Sequence, residues 1–153
     1  MPNVVRLIRE CQNRSVSAIF TRFLNMEGSP FETLMGWQEL RSGPDTDIAD
    51  ELADVAHTVV DKNFYSAFTN EFRRLAALED WKTLLICGIA TESCVAKTAV
   101  DAFEQNLRPI VVSDACASDA GDEAHQAGLL VLRRFIGKEQ IMTLDDVLLH
   151  LDK

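Results

Sequence analysis

At 153 residues the chain is long enough for one domain with a real core, since domains most often run roughly 100–150 residues. Its 47% hydrophobic and 25% charged content is that of an ordinary folded domain, and a formal net charge of −9 argues against nucleic acid and anionic membrane surfaces as partners. No apolar run approaches the roughly 18–20 residues of a membrane span, no basic-then-apolar signal segment opens the chain, and four cysteines without a CxxC pair or regular spacing point to a reduced, cytoplasmic setting rather than a disulfide framework or zinc site.

Pro2 to Gln12 reads as an amphipathic helix, with Val4, Leu7, Ile8 and Cys11 at helical spacing and Arg6, Arg9 and Glu10 between them. Val16 to Thr21 is rich in apolar and β-branched residues and predicts a strand. Arg22 to Pro44 holds no sustained period and carries Gly28, Pro30, Gly36, Gly43 and Pro44. It predicts a long loop, of the kind that tends to line a pocket. Phe23, Phe31 and Trp37 are its candidate pocket walls, or else they pin the loop to the body of the protein. Arg22, at a strand's carboxyl end, is placed to bind a substrate carboxylate or to stay in solvent. Ile48 to Val55 predicts a short helix, and His57 to Asp61 a second strand with Lys62 directly after it. Thr69 to Leu78 predicts a helix with Phe72, Leu75 and Leu78 on one face.

The chain is organised around residues 84–95. Leu84 to Cys87 is a short continuous apolar run, as a parallel strand covered on both faces requires. Gly88 breaks it, Thr91 offers an N-cap hydroxyl, and Glu92 adds negative charge to the first turn of a helix. Cys94 then falls within that first turn, just past the carboxyl end of a strand. Ligands of open α/β sheets bind there, and a helix N-terminus stabilises a thiolate. The predicted helix runs to about Asn106 with Val95, Ala99, Ala102 and Phe103 inward. A strand over Pro109 to Val112, a helix over Asp119 to Phe135 with Leu129, Leu132 and Phe135 at helical spacing, a short strand Ile141-Met142, and a closing helix from Leu144 to Leu151 capped by Thr143 complete the chain.

Alternating strands and helices predict an α/β fold of three layers, α/β/α, with a mostly parallel sheet and right-handed crossovers. There is no G-x-G-x-x-G, P-loop or G-x-S-x-G, so nucleotide binding and serine-hydrolase chemistry have no motif to stand on.

Gly88-Ile89-Ala90-Thr91-Glu92-Ser93-Cys94-Val95, with Thr98-Ala99 and Asp101-Ala102 behind it, resembles the nucleophile segment of the isochorismatase-like cysteine hydrolases. Asp61-Lys62-x-x-Tyr65-Ser66-Ala67-Phe68 resembles that family's lysine segment, and Val111 to Ala117 is similar to the strand after its nucleophile helix. The resemblance covers nearly the whole chain, residues 1–153 as a single Rossmann-like domain of the isochorismatase type. It implies an Asp-Lys-Cys triad in which Cys94 is the nucleophile and Lys62 the lysine. It also implies a cis peptide joining Ile89 to Ala90, with the Ala90 and Cys94 N–H groups forming an oxyanion hole. Phe23, Trp37, Tyr65, Thr91 and Arg22 are the expected substrate-lining residues.

The expected activity is hydrolysis of a C–N bond in a small amide or carbamoyl substrate through a thioester, without a cofactor. The family's usual first strand, in the middle of the sheet and ending in the triad aspartate, has no counterpart in residues 1–153. Three readings follow: a shortened form of a longer protein, a gap filled by a partner chain or closed by neighbouring strands, or a relative without its base. Accordingly, a binding or assembly subunit and isochorismatase-type vinyl ether hydrolysis are the alternatives. The loop after the second strand, Thr21 to Glu27, lacks the Asp-x-His-x-x-His ligands of the metal-binding branch, and His57, His125 and His150 form no i, i+4 pair. No catalytic metal is expected, and each histidine is read as structural. A homo-oligomer is expected by resemblance, with the Trp37 loop at a subunit contact.

Overall fold

The computed structural model describes residues 1–151. In chain order it contains α1 (Pro2–Asn13), β1 (Phe20–Phe23), α2 (Pro30–Thr33), α3 (Asp50–Ala53), β2 (Val59–Lys62), α4 (Asn70–Leu78), β3 (Thr83–Ile89), a π-helical turn (Thr91–Val95) and α5 (Ala96–Glu104). Then follow β4 (Arg108–Ala117), α6 (Asp122–Phe135), a 3-10 turn (Lys138–Gln140), β5 (Ile141–Met142) and α7 (Leu144–Leu151). All strand pairs are parallel, with helices on both faces, as the alternating pattern predicts.

Period-two alternation along β4 builds two cores from one strand. Ile110, Val112 and Ala115 face α1 and α7, where they meet Leu7, Cys11, Leu144, Val147 and Leu148. Val111 faces the other way, into Ile86, Val95, Ala99, Leu129, Leu132 and Ile136. A third cluster joins Val60 of β2 to Phe68, Phe72 and Ala102.

Among the described residues the strands form two sheets, β1-β2 and β3-β4-β5, rather than one. The expectation that neighbouring strands close the central gap is therefore corrected. Phe20 N–H bonds Thr58 C=O at 2.9 Å and Leu24 N–H bonds Lys62 C=O at 2.9 Å. Alternation then turns the backbone groups of Thr21 and Phe23 away from β2. On β3, Arg108 N–H bonds Lys82 C=O at 2.8 Å, so Thr83 and Leu85 turn away from β4. Among the described residues neither row of amides and carbonyls is paired with another strand.

The first predicted strand begins later than its residues suggest, at Phe20 instead of Val16. Ser15 has φ +56° and Val16 N–H closes on Cys11 C=O, so residues 15–18 finish α1 before the chain extends. Lys62 is the last residue of β2, not a cap outside it. β4 extends to Ala117 through an irregularity in which Ile86 pairs with Val111 and Gly88 with Cys116. Two steps along β3 thus match five along β4, and Gly88 takes φ +116°, open to glycine and strained for other residues. Leu78, Phe103 and Phe135, predicted inward, are exposed, while Ile136 is buried.

Candidate active site

β2 delivers Lys62 and the turn after β3 delivers Cys94. Burial alternates along β2, with Val60 and Lys62 in and Val59 and Asp61 out. Lys62 is 4% exposed. Its Nζ donates to the carbonyl oxygens of Phe64 at 2.9 Å and Tyr65 at 3.0 Å, and lies 3.2 Å from Cys94 Sγ. An ammonium has three hydrogens and no acceptor, so two carbonyls and one sulfur satisfy it. Burying a cation costs free energy unless full hydrogen bonding compensates, and these three contacts supply it.

Cys94 lies in the π-helical turn. The Ile89–Ala90 peptide before it is cis. Ala90 C=O accepts from Ser93 N–H at 3.2 Å and Val95 N–H at 3.1 Å, the second being the i to i+5 bond of a π turn. Among the described residues, none accepts from the Ala90 N–H, which leaves that donor available beside the sulfur's turn.

Cys94 differs from the other three cysteines in its surroundings. Burial pushes the Cys87 thiol up to about 11 and the Cys116 thiol up to about 12, and also raises Cys11. Among the described residues no lysine is hydrogen-bonded to any of these, whereas Cys94 is partly exposed with Lys62 against it. All four are free of disulfides.

The long loop brings an aromatic wall to this pair. Phe23 and Phe31 ring centroids lie 5.0 Å apart, Phe31 and Tyr65 5.1 Å, and Trp37 stands 5.9 Å from both Phe23 and Phe31. The Phe23 ring is 5.4 Å from Lys62 Nζ. Phe23 thus stands against the lysine, with Phe31, Trp37 and Tyr65 joined to it ring against ring, an arrangement that suits pocket walls and a pinned loop alike. Arg22 is otherwise engaged: its Nε and Nη2 donate to Asp61 Oδ1 at 2.7 Å and Oδ2 at 3.0 Å. This fork holds the Asp61 carboxyl below the usual carboxylate range. A substrate carboxylate would have to displace Asp61.

Thr91 is corrected on two counts. It is 0% exposed, so it lines no substrate space. The N-cap residue is Ala90, and Thr91 Oγ1 instead meets Ala117 C=O at 3.0 Å and His125 Nδ1 at 2.7 Å. His125, read from the sequence only as structural, is brought against the turn that carries Cys94. The available signal was Gly128, one helical turn further along α6, because glycine inside a helix marks a close approach. A Cβ on Gly128 would stand 2.8 Å from Glu92 N. Among the described residues no group of three or more His, Cys, Asp or Glu side chains is arranged to hold a metal ion. A cavity of about 610 Å³ between α1 and Glu51 holds none of the residues of this site.

Residues 1–143 match the isochorismatase domain family. Nicotinamidase 3 of Arabidopsis thaliana is 31% identical over 139 residues, 85% of this chain and 69% of that protein. A ureidoacrylate amidohydrolase of Pseudomonas savastanoi pv. phaseolicola is 33% identical over 108 residues, 69% of this chain but 43% of its own length. In fold, the chain is similar to an isochorismatase-like hydrolase from Alkaliphilus metalliredigens (TM-score 0.84, 21% identity, covering 97% of this chain and 82% of that one). It is also similar to N-carbamoylsarcosine amidase from Thermoplasma acidophilum (TM-score 0.80, 21% identity, 94% and 82%).

Proposed function

Since the chain belongs to the isochorismatase family, a family of hydrolases, we propose that it cleaves the C–N bond of a small amide or carbamoyl compound through a thioester on Cys94. The observation that carries this reading is the 3.2 Å approach of the buried Lys62 ammonium to Cys94 Sγ. The sulfur attacks the carbonyl carbon and an Sγ–C bond forms. The Ala90 and Cys94 N–H groups receive the developing oxyanion, where one such donor is typically worth about 2.7–4 kcal/mol of barrier. The C–N bond then breaks, and the amine leaves with the proton the thiol gave up. Water adds to the thioester, a C–O bond forms, and the C–S bond breaks to restore the thiol. The aromatic wall of Phe23, Phe31, Trp37 and Tyr65 suits a flat acyl group.

The test is release of ammonia or amine from nicotinamide, ureidoacrylate and N-carbamoylsarcosine, and release of the keto acid from a vinyl ether of the isochorismate type, each with the wild type and Cys94→Ala. Turnover of an amide or carbamoyl compound that disappears in Cys94→Ala supports the reading. Turnover confined to the vinyl ether, or surviving in Cys94→Ala, contradicts it.

A second reading rests on one specific observation. Among the described residues no carboxylate is hydrogen-bonded to Cys94, so the base of the implied triad is not at the sulfur. That favours a binding or assembly subunit, which would bind amides from the same panel without turning them over.

The proposal takes residues 1–153 as one domain in the cytoplasm, in keeping with four free cysteines. Among the described residues no helix is long and apolar enough to cross a membrane. It also takes the protein as a homo-oligomer, supported by Leu34 and Met35, which stand 84% and 64% exposed in the Trp37 loop. Light scattering is expected to give a dimer or larger, and a strictly monomeric mass contradicts that part.

A further inference from the structure

We propose that His125 is a positioning residue for Cys94: its Nδ1–H holds the Thr91 hydroxyl, and that hydroxyl fixes the turn that carries the thiol. This rests on the cysteine-hydrolase reading above.

The hydrogen count assigns the roles. The Thr91 hydroxyl has one hydrogen and two neighbours, Ala117 C=O at 3.0 Å and His125 Nδ1 at 2.7 Å. A carbonyl oxygen only accepts, so the hydroxyl donates to Ala117. Its oxygen then accepts from His125, which places a proton on Nδ1. With Thr91 0% exposed, no water replaces either bond. Ala117 ends β4, opposite Ile89 of β3, and His125 lies in the first turn of α6. One buried hydroxyl therefore ties the cysteine's turn both to the sheet and to the helix above it.

Two independent contacts press on the next residue. A Cβ on Gly128 would stand 2.8 Å from Glu92 N and 2.9 Å from Glu92 Cα, so the α6 backbone lies directly on the backbone of the turn. His125 and Gly128 are three residues apart and share that helix face. Ser118 Oγ donates to Glu92 Oε1 at 2.6 Å and fastens the turn from the end of β4. Thr91 and Glu92 are thus clamped on three sides, three and two residues ahead of Cys94, while Cys94 itself is held at its sulfur by Lys62. The direction of Sγ is set by the clamp behind it.

The experiment measures the rate of Cys94 alkylation by iodoacetamide at fixed neutral pH, with kcat and KM on the best amide of the panel, for His125→Leu, His125→Asn, Thr91→Val and the double variant His125→Leu with Thr91→Val. A buried hydrogen bond left unmade predicts that His125→Leu and Thr91→Val each lose about tenfold in alkylation rate and kcat, with KM within about twofold. His125→Asn keeps an N–H near the Nδ1 position and is expected within about threefold of wild type. The double variant is expected to lose no more than about threefold beyond Thr91→Val, because that change already removes the bond that His125→Leu breaks. His125→Asn as slow as His125→Leu, losses that multiply in the double variant, or a His125→Leu rate equal to wild type would overturn the proposal. Should His125→Leu not fold, His125→Ala takes its place, with the same loss relative to His125→Asn expected and a rate equal to wild type overturning the proposal. In wild type, labelling of Cys94 no faster than the other cysteines removes the hydrolase reading and this inference together. Selective labelling that is indifferent to His125 removes this inference alone.

Discussion

Lys62 shares its ammonium among the Phe64 and Tyr65 carbonyls and the Cys94 sulfur, and each of these acceptors was within reach of sequence reasoning only in part. The resemblance of the Asp61–Phe68 and Gly88–Val95 segments pairs the lysine with the cysteine. Nothing in the residues announces the two carbonyls, because backbone acceptors have no sequence signature. The cysteines away from the site make a prediction of their own. Burial raises the folded-state thiols of Cys87 to about 11 and Cys116 to about 12, above the unfolded value of about 9. Between those values the unfolded chain sheds protons that the folded protein retains, so stability is full below pH about 9 and falls as pH rises toward 11–12. Thermal melting is expected to drop from pH 8 to pH 10.5, and less so in Cys87→Ala with Cys116→Ala. A melting temperature that falls equally in both would contradict this. The side chains of Arg22 and Asp61 are 33% and 46% exposed, so solvent screens their pair and Arg22→Ala is expected to leave the denaturant-unfolding midpoint close to that of the wild type.

Helices and strands were legible where an apolar period runs through them. α7 and β5 fall on the residues that periodicity picks, and the Thr143 cap is present: its Oγ1 donates to Asp146 Oδ2 at 2.7 Å and accepts from Asp146 N–H at 3.3 Å. Thr143→Ala is expected to cost about 0.5–2 kcal/mol in equilibrium unfolding. What periodicity does not fix is where an apolar stripe stops, which is why Leu78, Phe103 and Phe135 come out in solvent. Nor does it see contacts between helix backbones. α6 meets the cysteine's turn through Gly128, and alanine there adds a Cβ against backbone atoms that cannot swing aside. Alanine is the better helix former by about 1 kcal/mol. Even so, Gly128→Ala is expected to destabilise the protein by about 1–3 kcal/mol and to slow Cys94 labelling. Unchanged or raised stability would show that α6 stands further off than the structure has it.

At the scale of the whole molecule, the parallel α/β architecture follows from the order of its elements, but the division into two sheets does not. Alternating strands and helices predict one sheet, and hydrogen bonding between β1 and β3 is a long-range matter on which local pattern is silent. The physical consequence is two edges whose backbone groups lack a neighbouring strand. Amide hydrogen exchange is expected to be at least about tenfold faster at Leu85, which faces the gap, than at Leu84 and Ile86, which face β4. Equal protection along β3 would mean that something pairs with the edge in solution.

Thioester chemistry in this protein depends on Cys94 being the one thiol poised to react. Brief treatment with iodoacetamide near neutral pH, followed by peptide mass mapping of all four cysteines, measures this directly. Cys94 is expected to label at least about tenfold faster than Cys11, Cys87 and Cys116, and to lose that lead in Lys62→Met. Equal labelling of the four, or a Cys94 rate unchanged by Lys62→Met, would contradict it.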